Sequence, residues 1–109
     1  MNAKLYDISL LERYIETFGL TLEKEYKFVP NRRFRADFAI LEWRLLLEIN
    51  GGCWNAKSRH FYGAGAIKDM EKYNLAAIHG YQILHFTPKQ FCKTQGLNIL
   101  ECWRKQRSK

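Results

Sequence analysis

Residues 35–52, RADFAILEWRLLLEINGG, decide the fold. Side chains alternate between faces along a strand. Phe34, Ala36, Phe38 and Ile40 therefore share one face of a first strand, and Leu45, Leu47 and Ile49 share one face of a second. Both apolar sets must meet the same core, so the spacing predicts an antiparallel hairpin reversing at Glu42-Trp43. That register sets Leu41 opposite Arg44, Asp37 opposite Glu48 and Arg35 opposite Asn50. Opposed Cβ atoms lie roughly 4.5–5.5 Å apart, and like charges there destabilise a pair. Two carboxylates face to face, one beside the apolar run Leu45 to Leu47, fit a divalent cation held between them, because Mg²⁺ and Mn²⁺ take oxygen ligands. The other reading is a coincidence of register. The reversal lacks the Gly or Asn that two-residue hairpins favour; a four-residue loop with the same centre keeps the register, and a loop of odd length breaks it.

Upstream, residues 22–29 read as a strand with Tyr26 and Phe28 on its apolar face, and Pro30-Asn31 marks a turn. A five-residue loop from Val29 to Arg33 lets Tyr26 and Phe28 share a face with Phe34 and Phe38. It also places Glu25 opposite Asp37, as a third carboxylate of the same site or as a solvated edge-strand residue. Residues 7–19 have Ile8, Leu11, Ile15 and Phe18 at helical spacing, with Gly19 as the stop. Ser9-x-x-Glu12 fits a capping box at the start of that helix.

Downstream, Gly51-Gly52 turns the chain sharply. The stretch GCWNAKSRHFYGAG that follows has no clean period, and a loop this long in a small domain is more often functional than idle. It sets Lys57, Arg59 and His60 between Trp54 and Phe61-Tyr62. Cations interleaved with aromatics suit phosphates and unstacked bases; the alternative is a solvated loop whose aromatics pack on the sheet. Residues 64–79 read as a helix with a buried stripe of Ile67, Met70, Asn74 and Ala77-Ile78, leaving Lys68, Asp69, Lys72 and His79 off that stripe. YQILHF at 81–86 reads as a strand reached by a crossover, hence parallel to Leu45 to Ile49. Closing helices carry Phe91, Leu97, Leu100 and Trp103, and the basic tail from Arg104 is expected to fray. The order is helix, three strands, helix, strand, helix: an α/β (α+β) chain with a mixed four-stranded sheet covered by helices on both faces.

Composition bounds the rest. With 109 residues the expectation is one domain, 1–109, and 47% hydrophobic with 15% aromatic residues place it among globular proteins rather than disordered chains. A net charge of +7 points to an anionic partner, DNA or RNA first, or to a merely basic surface. No apolar run approaches the ~20 residues of a membrane span, and no signal peptide opens the sequence, so no membrane is expected. Cys53, Cys92 and Cys102 form no C-x-x-C pair and read as reduced thiols of a cytoplasmic protein, not as a zinc site or disulfide frame.

A helix, three strands, a helix and a strand, with Asp37 on the second strand and Glu48-Ile49-Asn50 on the third, resemble the PD-(D/E)xK nuclease superfamily and its restriction-endonuclease-like αβββαβ core. The finer resemblance is to the branch around the very-short-patch-repair endonuclease and its small bacterial and phage relatives. RADFA, LLLEINGGCW, KDMEKYN and HGYQILHFTP carry it, in order, over about residues 25–88.

The resemblance implies a single nuclease domain hydrolysing DNA phosphodiesters with Mg²⁺ or Mn²⁺. Asp37 and Glu48 would hold the metal, with the Ile49 carbonyl as a further ligand; the strand register, not the resemblance, adds Glu25 to the metal candidates. Where such nucleases carry an assisting lysine, this chain has Asn50, which supplies no charge. Superfamily members sometimes move that lysine onto the following helix, where Lys72 stands here, with Lys68 behind it. His60 is a second catalytic candidate, since Asn55 takes the place of the branch's histidine. Arg32, Arg33, Arg35, Lys57, Arg59 and Lys68 are candidate DNA contacts. A chain this small suits structure-selective cutting of branched or mismatched DNA, a Holliday junction among them, or one nick per strand by a homodimer. Asn50 also keeps a second class open: a catalytically inactive nucleic-acid-binding module of the same fold.

Overall fold

The alternation in residues 34–49 resolves into two strands because a short 3₁₀ turn, not a two-residue hairpin loop, joins them. A computed structural model describes residues 6–50 and 64–107. Strands β2 (Ala36–Ile40) and β3 (Leu45–Ile49) pair antiparallel with Phe38 against Leu47, Ala39 against Leu46 and Ile40 against Leu45. This is the expected register. Leu41–Trp43 form the 3₁₀ turn, and Arg44 closes it in a left-handed conformation (φ 48°), its N–H donating to the Leu41 carbonyl at 3.1 Å. Leu41 and Arg44 thus close the reversal and do not extend the ladder. Glu42 accepts from the Thr21 N–H and hydroxyl, both at 2.7 Å, and so fastens the turn to the start of strand β1 (Leu22–Tyr26).

Strand β1 pairs antiparallel with β2, Leu22 against Ile40 through Tyr26 against Ala36, again in the expected register. Its faces differ from expectation. Leu22 packs with the Phe38 and Ile40 side of the sheet, whereas Tyr26, Phe28 and Phe34 pack in the opposite cluster, away from Phe38. Glu25, at φ 47°, interrupts the alternation between them.

Strand β4 (Gln82–Phe86) runs parallel to β3, with Glu48 beside His85 and Ile49 beside Phe86, giving the order β1-β2-β3-β4. Every residue of β3 is buried, as a central strand covered on both faces must be. On one face Phe38, Ile40, Leu45, Leu47, Ile49 and Phe86 meet helix α1 (Ser9–Thr17), the short α3 (Pro88–Phe91) and α4 (Thr94–Arg107) through Leu11, Ile15, Phe91 and Leu100. On the other, Ala39 and Leu46 pack in one cluster with Ala76 of helix α2 (Ala64–Ile78).

Two helical expectations change. Ser9 is not the cap of α1: Ile8 holds that position without a side-chain bond, and Asp7 Oδ1 accepts from the Ser9 N–H at 3.1 Å. On α2 the expected buried stripe faces out, with Ile67 63%, Met70 58% and Ile78 75% exposed, and Asn74 and Ala77 exposed as well. The side turned to the sheet carries Lys72, Tyr73 and Ala76. Ala39 and two carboxylates lie beneath it, so a small residue and a cation fit there better than Ile67 and Met70 do. The basic tail is also helical as far as Arg107. Among the described residues no helix is long and apolar enough to cross a membrane.

Candidate active site

One step beyond the Phe38–Leu47 pair, the ladder between β2 and β3 is continued by side chains. Asp37 Oδ2 accepts from the Ile49 N–H at 2.8 Å, and Glu48 Oε2 takes a long contact from the Asp37 N–H at 3.4 Å. The two carboxylates therefore face one another on the side of the sheet covered by α2, as the sequence pairing requires.

Glu48 is 6% exposed, although carboxylates are almost never buried unless paired. Its partner is Lys72 of α2, whose Nζ forms an ion pair with the fully buried Oε1. Burial pushes the Glu48 carboxyl above its ordinary pKa. Lys72 opposes the rise and the Asp37 charge adds to it. Desolvation outweighs the ion pair, so this arrangement is a poor source of stability, which points to a functional reason for it.

Asn50, the last residue before the undescribed stretch, donates its N–H to the Phe86 carbonyl at 2.8 Å and so stays in line with β4. Its side-chain oxygen lies 2.8 Å from Nδ1 of His85, and its amide also reaches the Tyr73 hydroxyl. The Tyr73 ring meets His85 edge-on at 5.3 Å. Burial, with the charges of Asp69 and Glu48, raises the Tyr73 hydroxyl to about 12, so it stays protonated. His85 is pulled below 6.5 by burial and by the Lys72 charge, with Asp69 opposing.

The structure thus brings Asp37, Glu48, Lys72 and Asn50 together and adds His85 and Tyr73. The sequence reading of YQILHF as a strand, and of HGYQILHFTP as part of the resemblance, gives His85 no role. The signal that finds it is the parallel register, which sets His85 beside Glu48. Ile49 sends its side chain into the α1 face and its N–H to Asp37, leaving its carbonyl as what it could offer a metal. Glu25 is exposed in its left-handed conformation and does not join the pair. Among the described residues no three or more His, Cys, Asp and Glu side chains converge as a metal cluster. Arg32 pairs with Glu71 and lies 4.9 Å over Phe34, which ties it to α2. Arg33, Arg35 and Lys68 are exposed. Lys57, Arg59 and His60 lie outside the described residues.

The low pKa of His85 has a checkable consequence for stability. The unfolded chain binds this proton near 6.5 and the folded chain only at lower pH, so the stabilisation is present above 6.5 and is lost as pH falls through the folded value. Between pH 7 and 5, wild-type stability should fall more steeply than that of His85→Gln in paired urea titrations. Parallel curves would mean that His85 titrates as it does in the unfolded chain.

A mixed four-stranded sheet flanked by helices, with opposed carboxylates at the open end of its central hairpin, is a nuclease-like fold. Among solved structures, the catalytic domain of the homing endonuclease I-Bth0305I is similar, with a TM-score of 0.51 over 90% of this chain and 85% of that one. At 17% sequence identity the likeness is one of fold. No protein-family model and no curated protein matches the sequence.

Proposed function

We propose that this chain is a metal-dependent DNA endonuclease that hydrolyses phosphodiester bonds at the Asp37–Glu48 pair. The observation that carries the reading is the buried Glu48 carboxylate, opposed to Asp37 and neutralised only in part by Lys72. The likeness to an endonuclease catalytic domain supports it.

The donor set suits Mg²⁺ or Mn²⁺. Both side chains offer hard oxygen, and Glu48 holds its carboxylate buried against Asp37 and the Lys72 cation. Mg²⁺ is commonly held by one or two carboxylates, with waters and substrate phosphates completing its shell. Asp37, Glu48 and the Ile49 carbonyl would hold it, and when bound it supplies charge stabilisation at the phosphate and an acidified water. The chain's own residues do the rest. The Asp37–Ile49 bond fixes one carboxylate, and Lys72 brings from α2 the positive charge that Asn50 lacks. The other reading, an inactive nucleic-acid-binding module, rests on Asn50. Calorimetric titration with Mn²⁺ separates the two: the endonuclease takes up metal and Asp37→Asn does not, while no uptake by wild type favours the inactive module.

DNA is the proposed partner, branched or mismatched DNA the proposed substrate class, and a homodimer the proposed form if both strands are cut. Exposed Arg33 and Arg35 lead into β2 and are the proposed phosphate contacts among the described residues. Each lost phosphate contact should flatten the salt dependence of log K by about 0.9 on duplex DNA. Arg33→Ala with Arg35→Ala should show that change in fluorescence anisotropy across a salt series. Binding that ignores salt would argue against a phosphate-bound partner.

A further inference from the structure

The lysine expected at position 50 is an asparagine, and its side chain is engaged in a way that a lysine could not reproduce. Asn50 Oδ1 sits 2.8 Å from His85 Nδ1, and the same amide reaches the Tyr73 hydroxyl. An amide has one oxygen that only accepts and one nitrogen that only donates. With the Asn50 oxygen toward His85, Nδ1 of the histidine must carry the proton. The neutral imidazole then has its lone pair on Nε2. An ammonium at position 50 has no acceptor and would favour the opposite tautomer.

His85 is well placed to use that lone pair. It is the direct neighbour of Glu48 in the parallel ladder and lies on the face that carries Asp37, Lys72 and Tyr73. The edge-on Tyr73 ring and the Asn50 bond hold the imidazole at two points. We infer that Asn50 is a positioning residue that locks His85 as the Nδ1–H tautomer, and that His85 Nε2 accepts a hydrogen bond from the attacking water. The exchange of lysine for asparagine is then coupled to the histidine on β4. The Lys72 cation and the His85 acceptor divide between them what a motif lysine does alone. This inference rests on the proposed endonuclease function.

The test has a spectroscopic arm and a kinetic arm. In two-bond ¹H–¹⁵N correlation spectra of the full chain above pH 7, His85 should show a protonated Nδ1 and a bare Nε2. Asn50→Asp, which still accepts from Nδ1, should keep that pattern, and Asn50→Lys should lose it. In cleavage of mismatched or four-way-junction DNA, His85→Ala and Asn50→Ala should each slow the chemical step on the order of a hundredfold with DNA affinity unchanged. The double variant should be no slower than His85→Ala, because Asn50 acts through the histidine. A protonated Nε2 in wild type, or wild-type cleavage by His85→Ala, overturns the inference and leaves the endonuclease standing. A chain that cuts nothing, with the tautomer as stated, overturns the proposed function and the role of His85 with it.

Discussion

Lys72→Met should destabilise the fold by about 3 kcal/mol at neutral pH, and adding Glu48→Gln should recover most of that loss. The ion pair is largely shielded: the Lys72 side chain is 17% exposed and that of Glu48 8%. Removing one member of a buried pair leaves an uncompensated charge and typically costs 3–5 kcal/mol, whereas replacing both is often neutral or stabilising. Lys72 is among the groups that hold the Glu48 pKa down, so its loss raises that pKa further. A carboxyl with a raised folded pKa is most compatible with the fold below its unfolded pKa, and the stabilisation is lost as pH rises through the folded value. The Lys72→Met defect should therefore shrink on acidification towards 4.5. Urea denaturation of the four proteins of this cycle, at pH 7 and pH 5, measures both effects. If Lys72→Met is as stable as wild type at pH 7, Lys72 does not neutralise Glu48 in solution.

Asp37→Asn should lower DNA cleavage by about a thousandfold or more while DNA is bound as tightly or more so. A site that loses several kcal/mol of charge stabilisation loses a factor of ten for each ~1.4 kcal/mol. Asparagine retains a side-chain oxygen that can accept from the Ile49 N–H, so the cross-strand link and the fold survive. Binding should not suffer, because a negative charge facing the phosphate has been removed. Single-turnover cleavage with anisotropy on the same DNA reads both quantities. Full activity in Asp37→Asn would remove the carboxylate pair from the chemistry.

The register of the hairpin and that of β1 against β2 were legible in the sequence from the alternation of apolar residues and the loop lengths. Slipping β3 by one residue would drive Glu48 into the Leu11, Ile15 and Phe91 side and push Leu47 out. The Asp37–Glu48 apposition follows from that register. The orientation of α2 did not follow, because helical spacing identifies an apolar stripe without saying whether the sheet beneath has room for it. Here the sheet offers Ala39, Leu46 and two carboxylates, and Lys72 and Ala76 turn towards them while Ile67 and Met70 face out. The sequence sets Lys72 off the stripe expected to be buried, and the structure turns that stripe outward and Lys72 onto the sheet. His85 escaped notice because its place depends on how β4 aligns with β3, a long-range register that no local pattern encodes. The left-handed Glu25, which breaks the alternation of β1, also has no sequence mark: it is neither Gly nor Asn.

The central claim is that the Asp37–Glu48 pair makes this chain a metal-dependent DNA endonuclease. Its most direct test incubates the purified chain with linear, mismatched and four-way-junction DNA, with Mg²⁺ or Mn²⁺ and with EDTA. The account predicts cleavage of at least one of these DNAs that requires the metal, stops with EDTA and is absent from Asp37→Asn. DNA that is bound but left uncut in either metal, or cut equally well in EDTA, would contradict it.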